Sequence, residues 1–165
     1  LEAISLCVAD RPCVRFVLVG RERSKYEEKR RRWVMQQLKG SAWEQNVIIR
    51  GRLRNMRAVI ARSDVCILPL YGTYSKVDIP LFLLEAMAMA KPIVITDIAP
   101  LNELLERPVG LAVPVDNDQA LAQAIERMLV EGNGYGACGR RLIESKYTLR
   151  QVATEYENLY LRLLR

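Results

Sequence analysis

The chain has 165 residues, of which 50% are apolar, with 25 basic and 19 acidic side chains and a formal charge of +6. This length and composition suit a single domain with its own core and exclude an intrinsically disordered chain. The sequence contains no histidine, which excludes Ser-His-Asp triads, histidine-containing zinc sites and imidazole acid–base chemistry within this chain.

Short apolar runs rich in β-branched residues alternate with helical patterns, after an opening helical pattern at Leu1–Leu6. The predicted strands are Phe16–Val19, Val47–Arg50, Val65–Leu68, Ile93–Thr96 and Leu111–Val115. The predicted helices cover 24–39, 55–62, 80–90, 100–106, a segment that begins at Asp118, 137–146 and 149–164. The glycine-rich stretch Glu131–Gly136 is predicted to be a loop, and Thr148 and Gln151 resemble a capping box.

This alternation predicts an α/β domain, a Rossmann-like doubly wound parallel sheet with helices on both faces. Because such a unit normally begins with a strand, we expect a further strand upstream of Leu1, and in the usual strand order that strand is central. We therefore expect residues 1–165 to form one domain of a longer protein.

Much of the positive charge lies in the run Arg21–Arg32, where Ser24 and Glu27 predict a capped helix start. We interpret this run as a solvated helix face, with a membrane-surface or partner-binding patch as the alternative. The overall charge favours anionic partners. With only Tyr26 and Trp33 as neighbouring aromatics, nucleic-acid binding is not predicted.

The four cysteines show no metal-site or redox spacing, and we expect reduced thiols in a cytoplasmic protein, with Cys66 in the core. We predict no metal site and no cofactor. No apolar run is long enough to span a bilayer and no signal peptide is recognised. Peripheral contact with the inner face of a membrane would suit the charge.

Ligands of open parallel sheets bind beyond the carboxyl ends of the strands. Here the third predicted strand leads into the loop 71–78, and a helix is expected from about Pro80, with Asp78 as its N-cap. The N–H groups and dipole of that helix end suit a phosphate.

Glu85 is the one carboxylate in the otherwise apolar run Leu81–Ala90. A helix that is apolar on all sides is usually buried, and a buried carboxylate needs a partner. Glu85 is therefore a candidate to accept hydrogen bonds from ligand hydroxyls such as those of a ribose. The alternative is a local ion pair with an arginine or lysine.

An ordered set of motifs resembles the C-terminal, donor-binding domain of family 4 (group 1) glycosyltransferases, which have the GT-B fold. The resemblance covers nearly the whole chain, although no single motif is decisive. Its pieces are Phe16–Gly20, Gly51 with Met56, Ser63–Pro69, Leu83–Ala88, Lys91–Val94, Asp97 with Glu103, Gly110-Leu111, Val113-Pro114 with Asp116, and Lys146–Thr148.

The family has two glutamates in this loop and helix, and the resemblance assigns roles on that basis. The second matches Glu85, which would bind the ribose of the donor nucleotide. The first, which contacts the donor sugar and is tied to catalysis, falls at Val77. Asp78 is the candidate to supply the catalytic carboxylate instead, with a plain N-cap as its alternative. Lys76 is interpreted as a solvated loop residue.

Backbone contacts to the donor follow from the same resemblance. The backbone of Ile79, Leu81 and Phe82 would approach the diphosphate or the sugar, and Gly51, Arg52 and Leu53 would receive the base. Arg52 and Arg54 are interpreted as exposed arginines. The alternative is that they add positive charge where the base binds. The family's arginine and lysine for the diphosphate would precede Leu1, as would the acceptor-binding domain.

The resemblance implies transfer of a sugar from a nucleoside-diphosphate-sugar to a saccharide or lipid-linked acceptor, with retention and without a metal. We expect a role in polysaccharide biosynthesis, and expect this fragment alone to be inactive. Because Val77 replaces a glutamate, the alternative is a non-enzymatic nucleotide-sugar-binding or structural partner domain. A nucleotide-sugar epimerase, which shares the fold, ranks lower because histidine is absent.

Overall fold

The computed structural model describes residues 1–22, 24–72 and 79–164. Its strands are β1 (Phe16–Val19), β2 (Val47–Arg50), β3 (Cys66–Leu68), β4 (Ile93–Thr96) and β5 (Gly110–Val113). Its α-helices are α1 (Glu2–Asp10), α2 (Lys25–Leu38), α3 (Met56–Arg62), α4 (Leu81–Ala88), α5 (Asp118–Lys146) and α6 (Leu149–Leu163). Two short 3₁₀ helices cover Glu44–Asn46 and Leu101–Glu106, the second where we predicted a helix over 100–106.

All strand pairs among the described residues are parallel, as predicted, but there they form two separate sheet pieces. One piece joins β1 to β2, with Phe16 opposite Val47. The other has the order β3-β4-β5, with Cys66 opposite Ile93 and Ile93 opposite Gly110. The α/β class is confirmed. The separation of the two pieces differs from the continuous sheet that a doubly wound fold normally has.

The core is centred on β4, whose four residues are all buried. Such complete burial explains why this strand reads as a continuous apolar run rather than an alternating one. Leu83 and Met87 of α4 pack on one face of the sheet, together with Leu142 of α5. On the opposite face lie Ala124 and Met128 of α5, which pack against β4 through Val94.

The predicted loop over Glu131–Gly136 is wrong, because α5 runs unbroken through it for 29 residues. Two of the three glycines in this stretch, Gly132 and Gly136, allow close packing instead. A Cβ built on Gly136 would overlap the carbonyl oxygen of Ala90, and one on Gly132 would lie 2.7 Å from Cγ of Pro92. The helix thus approaches the turn after α4 closely, and tertiary packing outweighs the low helix propensity of glycine.

Local end signals are borne out where they fall on described residues. The Ser24 hydroxyl accepts a hydrogen bond from the backbone N–H of Glu27 at 3.2 Å, at the start of α2. Gly40, with φ of +75°, follows the end of that helix. The capping box of Thr148 and Gln151 is present at the start of α6.

The last helix, α6, contains no buried residue. Its apolar stripe is only partly covered, since Leu149, Tyr156 and Tyr160 are exposed. Among the helices in the described part of the chain, none has both the length and the apolar character needed to cross a bilayer.

Candidate functional site

The segment that leaves the carboxyl end of β3 is fixed by Thr96 at the end of β4. The buried Thr96 hydroxyl accepts a hydrogen bond from the N–H of Leu70 at 2.8 Å and donates to the carbonyl oxygen of Leu70 at 2.6 Å. This pair of bonds holds the start of the predicted ligand-binding loop against the sheet. No role was predicted for Thr96 from the sequence, although a polar residue that ends an otherwise apolar strand is a recognisable signal.

Glu85 lies in the second turn of α4, and its side chain is 39% exposed, so the expectation of a buried carboxylate is wrong. The helix buries Leu83, Ala86 and Met87 but leaves Leu81 exposed. Although its residues are almost all apolar, α4 packs against the core on one face only, and its other face is exposed to solvent. The Glu85 carboxylate is therefore open to a ligand.

The local ion pair that the sequence left as an alternative is also present. Nε of Arg57 lies 3.9 Å from Oε1 of Glu85, and the Arg57 side chain is 77% exposed. Solvent screens such a pair, so its contribution to folding stability is small. The pair places a cation from the start of α3 next to the carboxylate of α4. Because the pair is loose and exposed, the Glu85 carboxylate remains accessible to a ligand.

Gly51, Arg52 and Leu53 lie between β2 and α3. Gly51 and Leu53 are half-buried, and the Arg52 side chain is exposed. The side chain of Asn55 caps α3 by accepting a hydrogen bond from the N–H of Ala58 at 3.0 Å, which fixes where this segment ends.

A second arginine, Arg31 of α2, reaches the same edge of the sheet. A Cβ built on Gly51 would lie 3.7 Å from Nη1 of Arg31. The same Nη1 lies 2.5 Å from Oε1 of Glu22, which follows β1. Arg31 therefore connects α2 with the carboxyl ends of β1 and β2. Arg31 was not predicted as a site residue, because nothing in the sequence distinguishes it from the other residues of the basic run.

The start of α4 offers backbone amides rather than side chains. Ile79 and Phe82 are partly buried and pack against the core, whereas the side chain of Leu81 points into solvent. The N–H of Leu83 donates to the carbonyl oxygen of Pro80 at 2.9 Å. The N–H groups of Leu81 and Phe82 precede the first helical hydrogen bonds, so they form the polar N-terminal end of the helix.

The N-cap of α4 is Pro80 and not Asp78, so that prediction is wrong. The catalytic role assigned to Asp78, the interpretation of Lys76 and the departure at Val77 concern residues that lie outside the described part of the chain.

Tyr71 and Asp116 bring the loops after β3 and β5 together. A hydrogen bond to Asp116, together with the negative charge of that carboxylate, raises the pKa of the Tyr71 hydroxyl, while Arg30 of α2 acts in the opposite direction. Asp116 has a φ of 57°, which is uncommon for an aspartate.

The carboxyl edge thus carries carboxylates, arginines and free helix-end amides without imidazole. Within the described ranges, no three Asp, Glu or Cys side chains come together as a metal site would require. Such a set of groups suits the recognition of a ligand that has both hydroxyls and phosphates through hydrogen bonds and charge.

Comparison with known proteins identifies the family to which the chain is similar. A family model described as glycosyl transferases group 1 matches residues 1–131. A search of curated proteins gives no match.

Solved structures share the fold at low sequence identity. HepE of Anabaena, in complex with UDP, has a TM-score of 0.82 and 18% identity over 98% of this chain and 44% of its own. A point mutant of TarM from S. aureus, in complex with Fondaparinux, alpha-GlcNAc-glycerol and UDP, has a TM-score of 0.77 and 21% identity over 96% of this chain and 31% of its own. The C-terminal domain of LpcC, a group 1 glycosyltransferase family protein from Francisella tularensis, has a TM-score of 0.73 and 18% identity over 90% of this chain and 77% of its own.

The chain spans less than half the length of the HepE and TarM chains that it matches. The Rossmann-like fold predicted from the motifs is confirmed by these neighbours. Since the family model covers most of the sequence, the chain belongs to the group 1 glycosyltransferases.

Proposed function

We propose that this chain is the donor-binding half of a glycosyltransferase that transfers a sugar from a nucleoside-diphosphate-sugar to a saccharide or lipid-linked acceptor. The observation that carries the proposal is the accessible Glu85 carboxylate beside Arg57, at the carboxyl edge of a sheet in a chain of this family. The HepE and TarM structures are both complexes with UDP, which makes UDP the first nucleotide to test.

In this proposal Glu85 accepts hydrogen bonds from the ribose hydroxyls. The backbone of Gly51, Arg52 and Leu53 receives the base, next to Arg31. The backbone of Ile79, Leu81 and Phe82 approaches the diphosphate, where the helix dipole favours negative charge.

The proposed chemistry is retaining transfer without a metal ion or other cofactor. Its transition state separates a sugar cation from a diphosphate leaving group. Amides and cations aimed at that diphosphate stabilise the developing charge. Asp78 is proposed as the carboxylate that contacts the sugar, in place of the family glutamate that is Val77 here. The acceptor would be held by a second domain, so we expect the fragment alone to bind the donor without transferring the sugar.

Calorimetric titration of the 165-residue chain with UDP, GDP and ADP tests the donor site. We expect one of them to bind, and Glu85→Gln to weaken that binding by about 10- to 150-fold, the loss of a charged hydrogen bond worth about 1.5–3 kcal/mol. Glu155→Gln, the same change on the exposed helix α6, is the matched control and should leave the affinity unchanged. The proposal is overturned if no nucleotide binds at millimolar concentration, or if both variants behave alike.

The competing function is non-enzymatic binding of a nucleotide sugar, or a structural partner role, favoured by the valine at position 77. It predicts that the nucleotide binds while the glycosidic bond of the donor stays intact even when an acceptor domain is supplied. Release of the nucleoside diphosphate from its sugar, measured by chromatography with Asp78→Asn as the control, separates the two functions.

Peripheral contact with an anionic membrane is the third element of the proposal. The helix α2 exposes Lys25, Lys29 and Arg32 together with the aromatic side chains of Tyr26 and Trp33. Basic and interfacial aromatic residues on one helix favour an anionic lipid surface.

Co-sedimentation with vesicles that contain phosphatidylglycerol is the test of this contact. We expect it to be lost in the double variant Lys29→Glu/Arg32→Glu, and to be kept in Arg140→Glu on α5. Equal binding to neutral phosphatidylcholine vesicles would contradict an electrostatic contact.

A further inference from the structure

Arg31 is the basic residue of α2 whose side chain the fold holds in place. It is 36% exposed, whereas the neighbouring Lys29, Arg30 and Arg32 are exposed to solvent. Nη1 of Arg31 donates a hydrogen bond to Oε1 of Glu22 at 2.5 Å, and the Glu22 side chain is 33% exposed. A charge-assisted bond between two largely covered groups fixes the guanidinium more firmly than a fully exposed pair would.

The fixed guanidinium lies at the carboxyl edge of the sheet piece β1-β2. The N–H of Gly20 donates to the carbonyl oxygen of Arg50 at 3.1 Å, so the segments that leave β1 and β2 stay side by side there. Gly51 follows directly, and a Cβ built on it would lie 3.7 Å from Nη1 of Arg31. Because Gly51 has no side chain, the guanidinium lies next to its backbone, at the edge where parallel sheets bind ligands.

A guanidinium selects its ligand by the polarity of the hydrogen bond. Its N–H groups form a planar fork of donors, and it has no acceptor. It therefore favours a base that presents a carbonyl oxygen and disfavours one with an amino group in the same position, since two donors would then face each other. Uracil and guanine carry such an oxygen where cytosine and adenine carry an amino group.

We propose that Arg31, held by Glu22, is the specificity-determining residue for the base of the donor, and that it selects a base with a carbonyl oxygen over the matching base with an amino group. This inference rests on the proposed donor site, in which the backbone of Gly51, Arg52 and Leu53 receives the base. A site built to donate to an oxygen rejects the analogue that lacks it, because the donor is then left unpaired.

Two matched pairs of nucleotides isolate this contact, because the members of each pair differ only at the edge of the base. UDP is compared with CDP, and inosine diphosphate with ADP, by calorimetric titration of the 165-residue chain. In the pair that the site accepts, we expect the carbonyl base to bind about 10- to 150-fold more tightly, as for one charged hydrogen bond. This preference of the unmodified chain is a test that needs no variant.

Substitutions of Arg31 then assign the preference to its side chain. Arg31→Gln should bring the two members of the pair to within about threefold of each other, because glutamine both donates and accepts. Arg31→Lys should also weaken the preference, because lysine keeps the positive charge but not the planar fork. Arg127→Gln is the matched control, since Arg127 forms the same kind of pair with Glu131 on α5 at 2.8 Å, and it should leave the preference unchanged. The urea midpoint of each variant separates loss of base recognition from loss of folding.

The outcomes separate this inference from the donor site on which it rests. Equal binding of the two members of a pair by the unmodified chain overturns the inference and leaves the donor site intact. A preference that survives Arg31→Gln overturns it too, because other groups would then recognise the base. An equal loss for both members in Arg31→Gln would mean that its charge acts on the diphosphate, which also contradicts the inference. Failure of every nucleotide to bind overturns the donor site and the inference together.

Discussion

The half of the molecule around β4 and the half around β1 and β2 differ in how completely their strands are buried. Ile95 of β4 is 0% exposed, whereas Ile48 of β2 is 37% exposed. β4 has a paired strand on each side and helices on each face, and β1 lacks one of its two neighbours within the described residues. Burial on both faces therefore depends on neighbouring strands as much as on the apolar residues themselves.

Each half nevertheless contains one buried polar side chain that ties a loop in place. Thr96 holds Leu70 in the β4 half, and the amide of Asn46 donates to the carbonyl oxygens of Pro12 and Val14 at 2.9 and 2.8 Å in the other. Both side chains are satisfied, as buried polar groups normally are. These two side chains are equally well paired, so they do not account for the difference in burial between the halves.

The largest expected effect compares the same substitution in the two halves. Ile95→Ala should lower the free energy of unfolding by about 2–5 kcal/mol, because it opens a cavity in a closed core. Ile48→Ala, on a partly open strand, should cost about 1 kcal/mol or less. Urea unfolding of the two variants measures both values. Similar losses in the free energy of unfolding would mean that the two halves are equally well packed, contrary to the difference in burial described above.

A smaller effect is expected where α5 packs against the β4 half. Gly136→Ala should destabilise the chain by about 1–3 kcal/mol, because its methyl group would meet the backbone of Ala90. Gly134→Ala, two residues away, meets nothing within 4 Å and should stabilise the helix by about 0.5–1 kcal/mol. Thermal unfolding of both variants checks the opposite signs. If both substitutions stabilise the chain, close packing of α5 does not explain the glycine at position 136.

The smallest effect is a dependence of stability on pH. Burial raises the pKa of the Cys66 thiol to about 11, from 9.0, against a lowering by Lys91. Between these values the unfolded thiol has lost its proton while the folded thiol keeps it. Its contribution to stability is therefore complete below pH 9 and is lost as the pH rises towards 11.

Urea unfolding from about pH 7 to pH 11 measures this contribution. We expect a shallower decline above pH 9 in Cys66→Ala than in the unmodified chain. Cys13→Ala, a change at an exposed cysteine, should leave the slope unchanged. Parallel curves for all three chains would show that burial of Cys66 does not control its ionisation.

The sequence by itself determined the order of elements, because apolar β-branched runs and caps are local signals. Each β-strand was found within two residues of its ends, and the capping box of Thr148 and Gln151 was found in full. The family motifs also lie in the sequence, and they named Glu85, Gly51 and the start of α4 as the site. Its binding roles remain predictions.

Only the tertiary structure decided the features that depend on distant neighbours. Glycine has a low helix propensity, yet α5 runs through its glycines, and at Gly136 the close approach of the Ala90 backbone leaves no room for a side chain. The Glu85 carboxylate is accessible and paired with Arg57 because α3 and α4 lie side by side. The division of the described strands into the pieces β1-β2 and β3-β4-β5 is likewise visible only in three dimensions, because strand pairing joins residues that are far apart in the sequence.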